Sequence, residues 1–207
     1  FATRGTFAEF TVGPATQLIK KPVGITFEEA AASVMSGLTA MIAMRDVGKV
    51  GPGTRVLING ASGGVGTFAV QIAKALGAEV TGVCSTSNLE FVESLGADEI
   101  VDYKMAATLP KGKSYSIIFD TVGSLSFSVA RRSLQRKGVF LMISHMPGAN
   151  LAAMLMSAIL PGRRARYHLC RSSGADLDYL RQVIEQGKLR SEIDSSFSLN
   201  EVGKAHE

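Results

Sequence analysis

Val56-Leu57-Ile58-Asn59-Gly60-Ala61-Ser62-Gly63-Gly64-Val65-Gly66 is a short apolar run that breaks into glycines and reopens as a helix. Arg55–Asn59 reads as a buried strand. After the glycines, Val65, Phe68, Ala69, Ile72 and Leu76 recur at helical spacing, which predicts a helix over Val65–Leu76 with Gly77 just past its end. A helix that starts here presents unpaired N–H groups and a partial positive charge to whatever lies above the turn. Gly63 lets a ligand come close to the backbone, and Gly66 lets the helix sit tight on the strand. The turn is thus suited to a doubly charged pyrophosphate.

Outward from it, short apolar runs alternate with helical ones. Strands are expected at Glu79–Cys84, Ile100–Tyr103, Ser116–Asp120, Gly138–Ile143 and Arg164–Cys170, which with Arg55–Asn59 makes six. Helices are expected at Leu89–Leu95, about Ser124–Leu134, Leu151–Leu160 and Asp176–Gln186. Strands spaced by helices imply a parallel sheet covered on both faces, and right-handed crossovers make it doubly wound. The expected fold class is therefore α/β, a Rossmann-type sheet. Before it, Thr6–Val12 alternates like a strand and closes at Gly13-Pro14. Thr26 and Glu29 have the spacing of a capping box. An Ala-rich helical stretch then runs from Phe27 to about Val47, interrupted at Ser36-Gly37, and Gly48–Gly53 is a loop.

The 207 residues are 46% hydrophobic and 19% charged, a globular composition that excludes a disordered chain. Leu151–Leu160 is about half the length of a membrane-spanning helix, so no membrane partner is expected. No charged-then-apolar leader opens the chain. It begins at Phe1 and stops within an apparent helix at Asn200–Glu207, as a piece of a longer protein would. Cys84 and Cys170 are too few for a disulfide framework, which points to a reducing, cytoplasmic compartment. A net charge of +4 is mild for nucleic acid but suits an anionic small-molecule ligand.

An NAD site carries an acid about 20 residues after the glycines, at the end of the second strand. Here that strand ends in Cys84-Ser85-Thr86-Ser87-Asn88, and the next acid in the chain is Glu90. Hydroxyls accept a 2′-phosphate that a carboxylate would repel, so the expected cofactor is NADP (NADPH). The same hydroxyls would also cap the helix that follows. Ala61 stands where the first fingerprint glycine usually stands, an A-x-G-x-x-G variant.

Gly60–Gly66, Gln71-Ile-Ala-Lys74, Leu95-Gly-Ala-Asp98, Asp102-Tyr103 and Phe119-Asp-Thr-Val-Gly123 together resemble the medium-chain dehydrogenase/reductase superfamily, most of all its zinc-free quinone oxidoreductase branch. Gly5–Phe10 resembles the last strands of that family's GroES-like catalytic domain, and Lys20–Ala32 with Ser36–Ala40 its link to the cofactor domain. The resemblance implies three parts: residues 1–36 as the end of the catalytic domain and linker, 37–170 as the NADP-binding domain, and 171–207 as a return segment. It implies that Ser62, Gly63, Gly64, Val65 and Gly66 hold the pyrophosphate. Ser85, Thr86 and Ser87 would meet the 2′-phosphate, and Tyr103 the adenosine end. Val122 and Gly123 would line the cofactor's path, and Thr39 would lie near the nicotinamide. Ser87 replaces a basic residue common in relatives, and Ser36 stands about where zinc-dependent members place a cysteine ligand.

The expected activity is zinc-independent hydride transfer from NADPH to a quinone or α,β-unsaturated carbonyl. The alternatives are a zinc-dependent alcohol dehydrogenase of the same superfamily, an enoyl reductase domain of a multidomain synthase, or a non-catalytic nucleotide-binding module. A methyltransferase also uses a glycine turn, but it wants an acid after the second strand. No nucleophile or acid/base dyad is found, so no catalytic residue is assigned. His145, His168 and His206 have no metal-ligand spacing with other residues, and His145 reads as a loop histidine near the cofactor end. Arg163, Arg164, Arg166 and Arg171 read as a charged edge strand or a homodimer contact rather than a nucleic-acid surface.

Overall fold

The computed structural model describes residues 10–106, 108–143, 148–159, 162–167 and 173–206. Its main elements are α1 (Phe27–Met41), β1 (Arg55–Asn59), α2 (Gly64–Ala75), β2 (Glu79–Cys84), α3 (Leu89–Ser94), β3 (Glu99–Asp102), β4 (Tyr115–Asp120), α4 (Phe127–Ala130), β5 (Leu134–Met142), α5 (Gly148–Ile159), β6 (Arg164–Tyr167), α6 (Gly174–Glu185) and α7 (Val202–Ala205). The six strands form one sheet in the order β3-β2-β1-β4-β5-β6, every neighbouring pair parallel. This is the doubly wound α/β fold.

The chain divides into two compact units, Thr39–Cys170 and, separately, Phe1–Leu38 with Arg171–Glu207. The first unit is the sheet with its helices. Leu57, Ile118 and Phe140 from the central strands are wholly buried and share a cluster with Tyr115, Leu134 and Ala165. Val56 and Ile58 are also wholly buried. Strand β1 is therefore buried on both faces, as a parallel strand between helix layers must be. Each such side chain contributes roughly 1.5–3 kcal/mol of burial.

In the second unit, Thr26 and Glu29 do form the capping box. The Glu29 amide donates to Thr26 Oγ1 at 3.1 Å, and the Thr26 amide donates to Glu29 Oε2 at 2.7 Å. Ser173 and Asp176 form a second box that starts α6. The Val23 amide donates to Glu185 Oε1 (3.0 Å), and Ser191 Oγ donates to the Glu29 carbonyl (2.8 Å), which ties three segments together.

Several expected elements differ. No break occurs at Ser36-Gly37; α1 runs through them and ends in a π-helical turn over Ile42–Val47. The long helix at Ser124–Leu134 is a single turn, because Ser126 and Asn150 cap the amides at its start and the chain then turns into β5. Leu134, apolar and helically spaced, is instead the first residue of that strand, paired with Tyr115 and buried. Phe10–Val12 is not a strand. The apparent helix at Asn200–Glu207 is two short turns, Leu199–Glu201 and Val202–Ala205. The last strand is Arg164–Tyr167, with Arg164 and Arg166 exposed either side of buried Ala165. His145, His168, Cys170, Arg171 and residues 6–9 lie outside the described residues.

Candidate functional site

Parallel pairing brings the carboxyl ends of all six strands to one edge of the sheet. At β1 and β4 the strand order reverses, and it is at such a reversal, above the carboxyl ends of the strands, that this fold leaves a ligand crevice. The glycine turn sits at one lip and residues 121–125 at the other.

The turn is built from close approaches. Gly60 has φ of +83°, and a Cβ there would lie 2.5 Å from Thr121 Oγ1 and 2.6 Å from a Val122 methyl. Glycine is thus required twice over, by conformation and by the opposite lip. The Gly60 and Ala61 amides both donate to the Val83 carbonyl, which locks the turn to β2. At Gly66 a Cβ would stand 2.0 Å from the Gly60 carbonyl oxygen, so this glycine sets how closely α2 meets β1. Gly63 is different. A Cβ there would reach only the Gly60 carbonyl, at 3.4 Å, and the residue is exposed toward the crevice.

In α2 the Thr67 amide donates to the Gly63 carbonyl. Among the described residues, the amides of Gly64, Val65 and Gly66 have no acceptor. These three N–H groups sit at the positive end of a 12-residue helix, the donor set that a pyrophosphate needs. The residues therefore fit an anionic dinucleotide. Among the described residues no three His, Cys, Asp or Glu side chains are grouped to hold a metal.

The opposite lip is held from beneath. Asp120 is fully buried at the end of β4. Its Oδ1 accepts from the Val122 amide (3.1 Å), the Gly123 amide (3.0 Å) and Asn59 Nδ2 (2.8 Å), and Oδ2 accepts from the Leu125 amide (2.9 Å). Asn59 Nδ2 also donates to Ser124 Oγ at 2.9 Å, and Thr121 Oγ1 to the Asn59 carbonyl at 2.8 Å. Val122, half-exposed, and Gly123 are thereby fixed over the crevice. Sequence reading picked Val122 and Gly123 but missed Asn59 and Asp120, which act through them. Polar residues ending two buried apolar strands were the available signal.

At the end of β2, Ser85 and Ser87 hydroxyls lie 3.1 Å apart. Asn88 Nδ2 donates to Ser85 Oγ (3.1 Å) and to Ser62 Oγ (3.2 Å), joining this loop to the glycine turn. The hydroxyls do not cap the following helix; no side-chain cap bond forms at Ser85 or Asn88. Tyr103 is half-exposed beside the loop, its amide donating to the Cys84 carbonyl. Thr39 is buried in the last turn of α1.

The loop is not remote from an acid. Strand register sets Asp102 beside Cys84, and Thr86 Oγ1 donates to Asp102 Oδ2 at 2.6 Å. The Lys104 amide donates to Asp102 Oδ1 at 2.9 Å. The Thr86 hydrogen bond, foremost, holds the Asp102 carboxyl below the usual aspartate range, so it is charged at neutral pH. Chain order hid this acid, because it arrives from the third strand. Burial, foremost, and the Asp102 charge push the Cys84 thiol up, away from the thiolate form.

Residues 95–207 match the family described as zinc-binding dehydrogenase. The chain belongs to this family, within the medium-chain dehydrogenase/reductase superfamily. Among relatives, it is 33% identical over 210 residues to the chloroplastic quinone-oxidoreductase QR1 of Triphysaria versicolor, covering 97% of this chain and 64% of that one. It is 34% identical over 227 residues to the mitochondrial NAD(P)H oxidoreductase RTN4IP1 of Mus musculus, covering 98% and 57%. The solved quinone oxidoreductase of Coxiella burnetii superposes with a TM-score of 0.80 at 29% identity, covering 91% and 58%. This zinc-binding dehydrogenase chain thus spans less than two thirds of each of these relatives. The family is one of oxidoreductases, and its dinucleotide domain suggests a nicotinamide cofactor. No helix among the described residues is long and apolar enough to cross a membrane.

Proposed function

We propose that the protein transfers hydride from NADPH to a quinone or an α,β-unsaturated carbonyl, without a catalytic zinc. The observation that carries this is the trio of bare amides at Gly64, Val65 and Gly66, opening onto the crevice between β1 and β4. When bound, the nicotinamide supplies the hydride and its electron pair. The chain's own residues bind and orient. Gly63 leaves room for the pyrophosphate, while Val122 and Gly123, anchored by Asp120, border the path beyond it. Ser85 and Ser87 offer hydroxyls to the 2′-phosphate, while both Asp102 oxygens already accept bonds from Thr86 and Lys104. Relatives named as quinone oxidoreductases support the substrate class. Residues 1–36 would be the end of a catalytic domain and its linker, and 171–207 a return segment toward that domain. A cytoplasmic location and a homodimer built on the β6 edge belong to the same proposal, with a small-molecule substrate and no nucleic-acid or membrane partner.

Titration calorimetry with NADPH and NADH tests it. NADPH should bind, and bind more tightly than NADH. Gly63→Val should lower NADPH affinity at least 100-fold, about 2.7 kcal/mol, with the melting temperature unchanged. Gly66→Ala should melt early instead, because its Cβ meets backbone. Unimpaired binding to Gly63→Val removes the glycine turn as the site.

A further inference from the structure

Coenzyme choice in this fold is usually read from the residue ending the second strand. Here that position offers only hydroxyls, yet the described residues nearest to it include a carboxylate from the third strand. Asp102 lies opposite Cys84 in the sheet, and Thr86, in the middle of the hydroxyl loop, donates its proton to Asp102 Oδ2 at 2.6 Å. A hydroxyl committed in this way cannot donate to a phosphate. The Ser85 and Ser87 oxygens, 3.1 Å apart, have one of their two protons engaged between them. Asn88 Nδ2 gives its hydrogens to Ser85 and Ser62. The side-chain donors of the loop are therefore partly committed, and one fixed negative charge lies at its side. After the Thr86 hydrogen bond, the Lys104 amide, which donates to Asp102 Oδ1, and the Lys104 charge also lower the Asp102 carboxyl.

We propose that Asp102 is the specificity-determining residue of the coenzyme site: its carboxylate opposes a 2′-phosphate and holds the preference for NADPH over NADH to a shallow one. The inference rests on the coenzyme reading above. Removing the charge while keeping the shape should release the preference. In Asp102→Asn, Oδ1 still accepts from the Lys104 amide, so the turn keeps its hydrogen bond. The Thr86 hydroxyl becomes free to donate outward.

The experiment compares dissociation constants of NADPH and NADH, and of adenosine 2′,5′-bisphosphate and ADP, by calorimetry on wild type, Asp102→Asn and Asp102→Glu. The Asn variant should raise the preference for the 2′-phosphorylated member of each pair roughly five- to tenfold, the effect of one partly exposed charge at a few ångströms. That gain should shrink as salt is raised. The Glu variant, which keeps the charge, should stay within about twofold of wild type. A merely structural role for Asp102 would weaken both members of each pair equally and leave the ratio fixed; that result overturns the proposal. If wild type binds neither coenzyme, the coenzyme reading itself has failed, which is a different outcome. Should Asp102→Asn melt too early to titrate, Asp102→Ser, which keeps an acceptor for the turn, takes its place in the same comparison.

Discussion

Tyr115 opens β4 wholly buried, and its hydroxyl has no hydrogen-bond partner among the described residues. The Arg55 guanidinium lies 5.9 Å from the centre of the Tyr115 ring, against the face rather than the oxygen. Burying an unpaired hydroxyl costs on the order of 1–3 kcal/mol. Tyr115→Phe should thus be neutral or stabilise the chain by up to about 1 kcal/mol, read from denaturant melts. A loss greater than that would mean the hydroxyl has a partner after all. The opposite case is Asp120, equally buried, whose oxygens accept four bonds. Burial alone does not say which polar group is costly; the count of satisfied bonds does. At Gly60 and Gly66 the same logic applies to space, since a single methyl would collide with backbone or with the opposite lip.

At the scale of elements, helix starts were the legible features and weakly patterned stretches were not. The capping box at Thr26 and Glu29 is a local code, two hydrogen bonds across three residues, and it forms as read. Thr26→Ala should cost about 1 kcal/mol of unfolding free energy. An unchanged melt would show that α1 is held by packing alone. Serine at Thr26 should restore the lost stability. The segment Ser124–Leu134 failed for a reason of the same kind. Apolar residues at helical spacing are also what a turn followed by a buried strand presents. Pairing of Leu134 with Tyr115 outweighed the local preference. Ser36-Gly37 reads as a break, yet glycine inside a helix costs only about 1 kcal/mol, and the long helix absorbs it.

For the whole molecule, the carboxylates Asp98 and Glu99, at the entry to the third strand, have proton affinities that fall on folding. Glu99 is held low first by its hydrogen bond from Lys113. Burial pushes Asp98 up, but bonds from Lys74 Nζ (2.6 Å) and the Val80 amide (2.7 Å) outweigh it and the net shift is downward. A group whose folded value is depressed favours folding above the ordinary carboxylate range, and that contribution is lost as pH falls through the folded value. The melting temperature should therefore drop below about pH 5. Asp98→Asn should flatten this slope while lowering stability at neutral pH. Equal slopes in the two proteins would remove Asp98 from the account. The ion pair is partly exposed, so high salt should reduce the difference.

Periodicity, glycine placement and chain order were sufficient for the α/β class and the strand–turn–helix at residues 55–76, because each is written in neighbours along the chain. Short-range physics, such as caps, turns and amphipathic faces, acts over three to four residues and can be read there. Asp102 beside Thr86, Asn59 beneath Asp120, and Val122 against Gly60 are set by register and sheet order, which pair residues 16 to 62 positions apart. No local rule specifies such pairs, since the sheet's hydrogen bonds select them only once all strands are in place. The charge proposed to meet the coenzyme's ribose end is thus a property of the assembled sheet, and not of the loop that borders it.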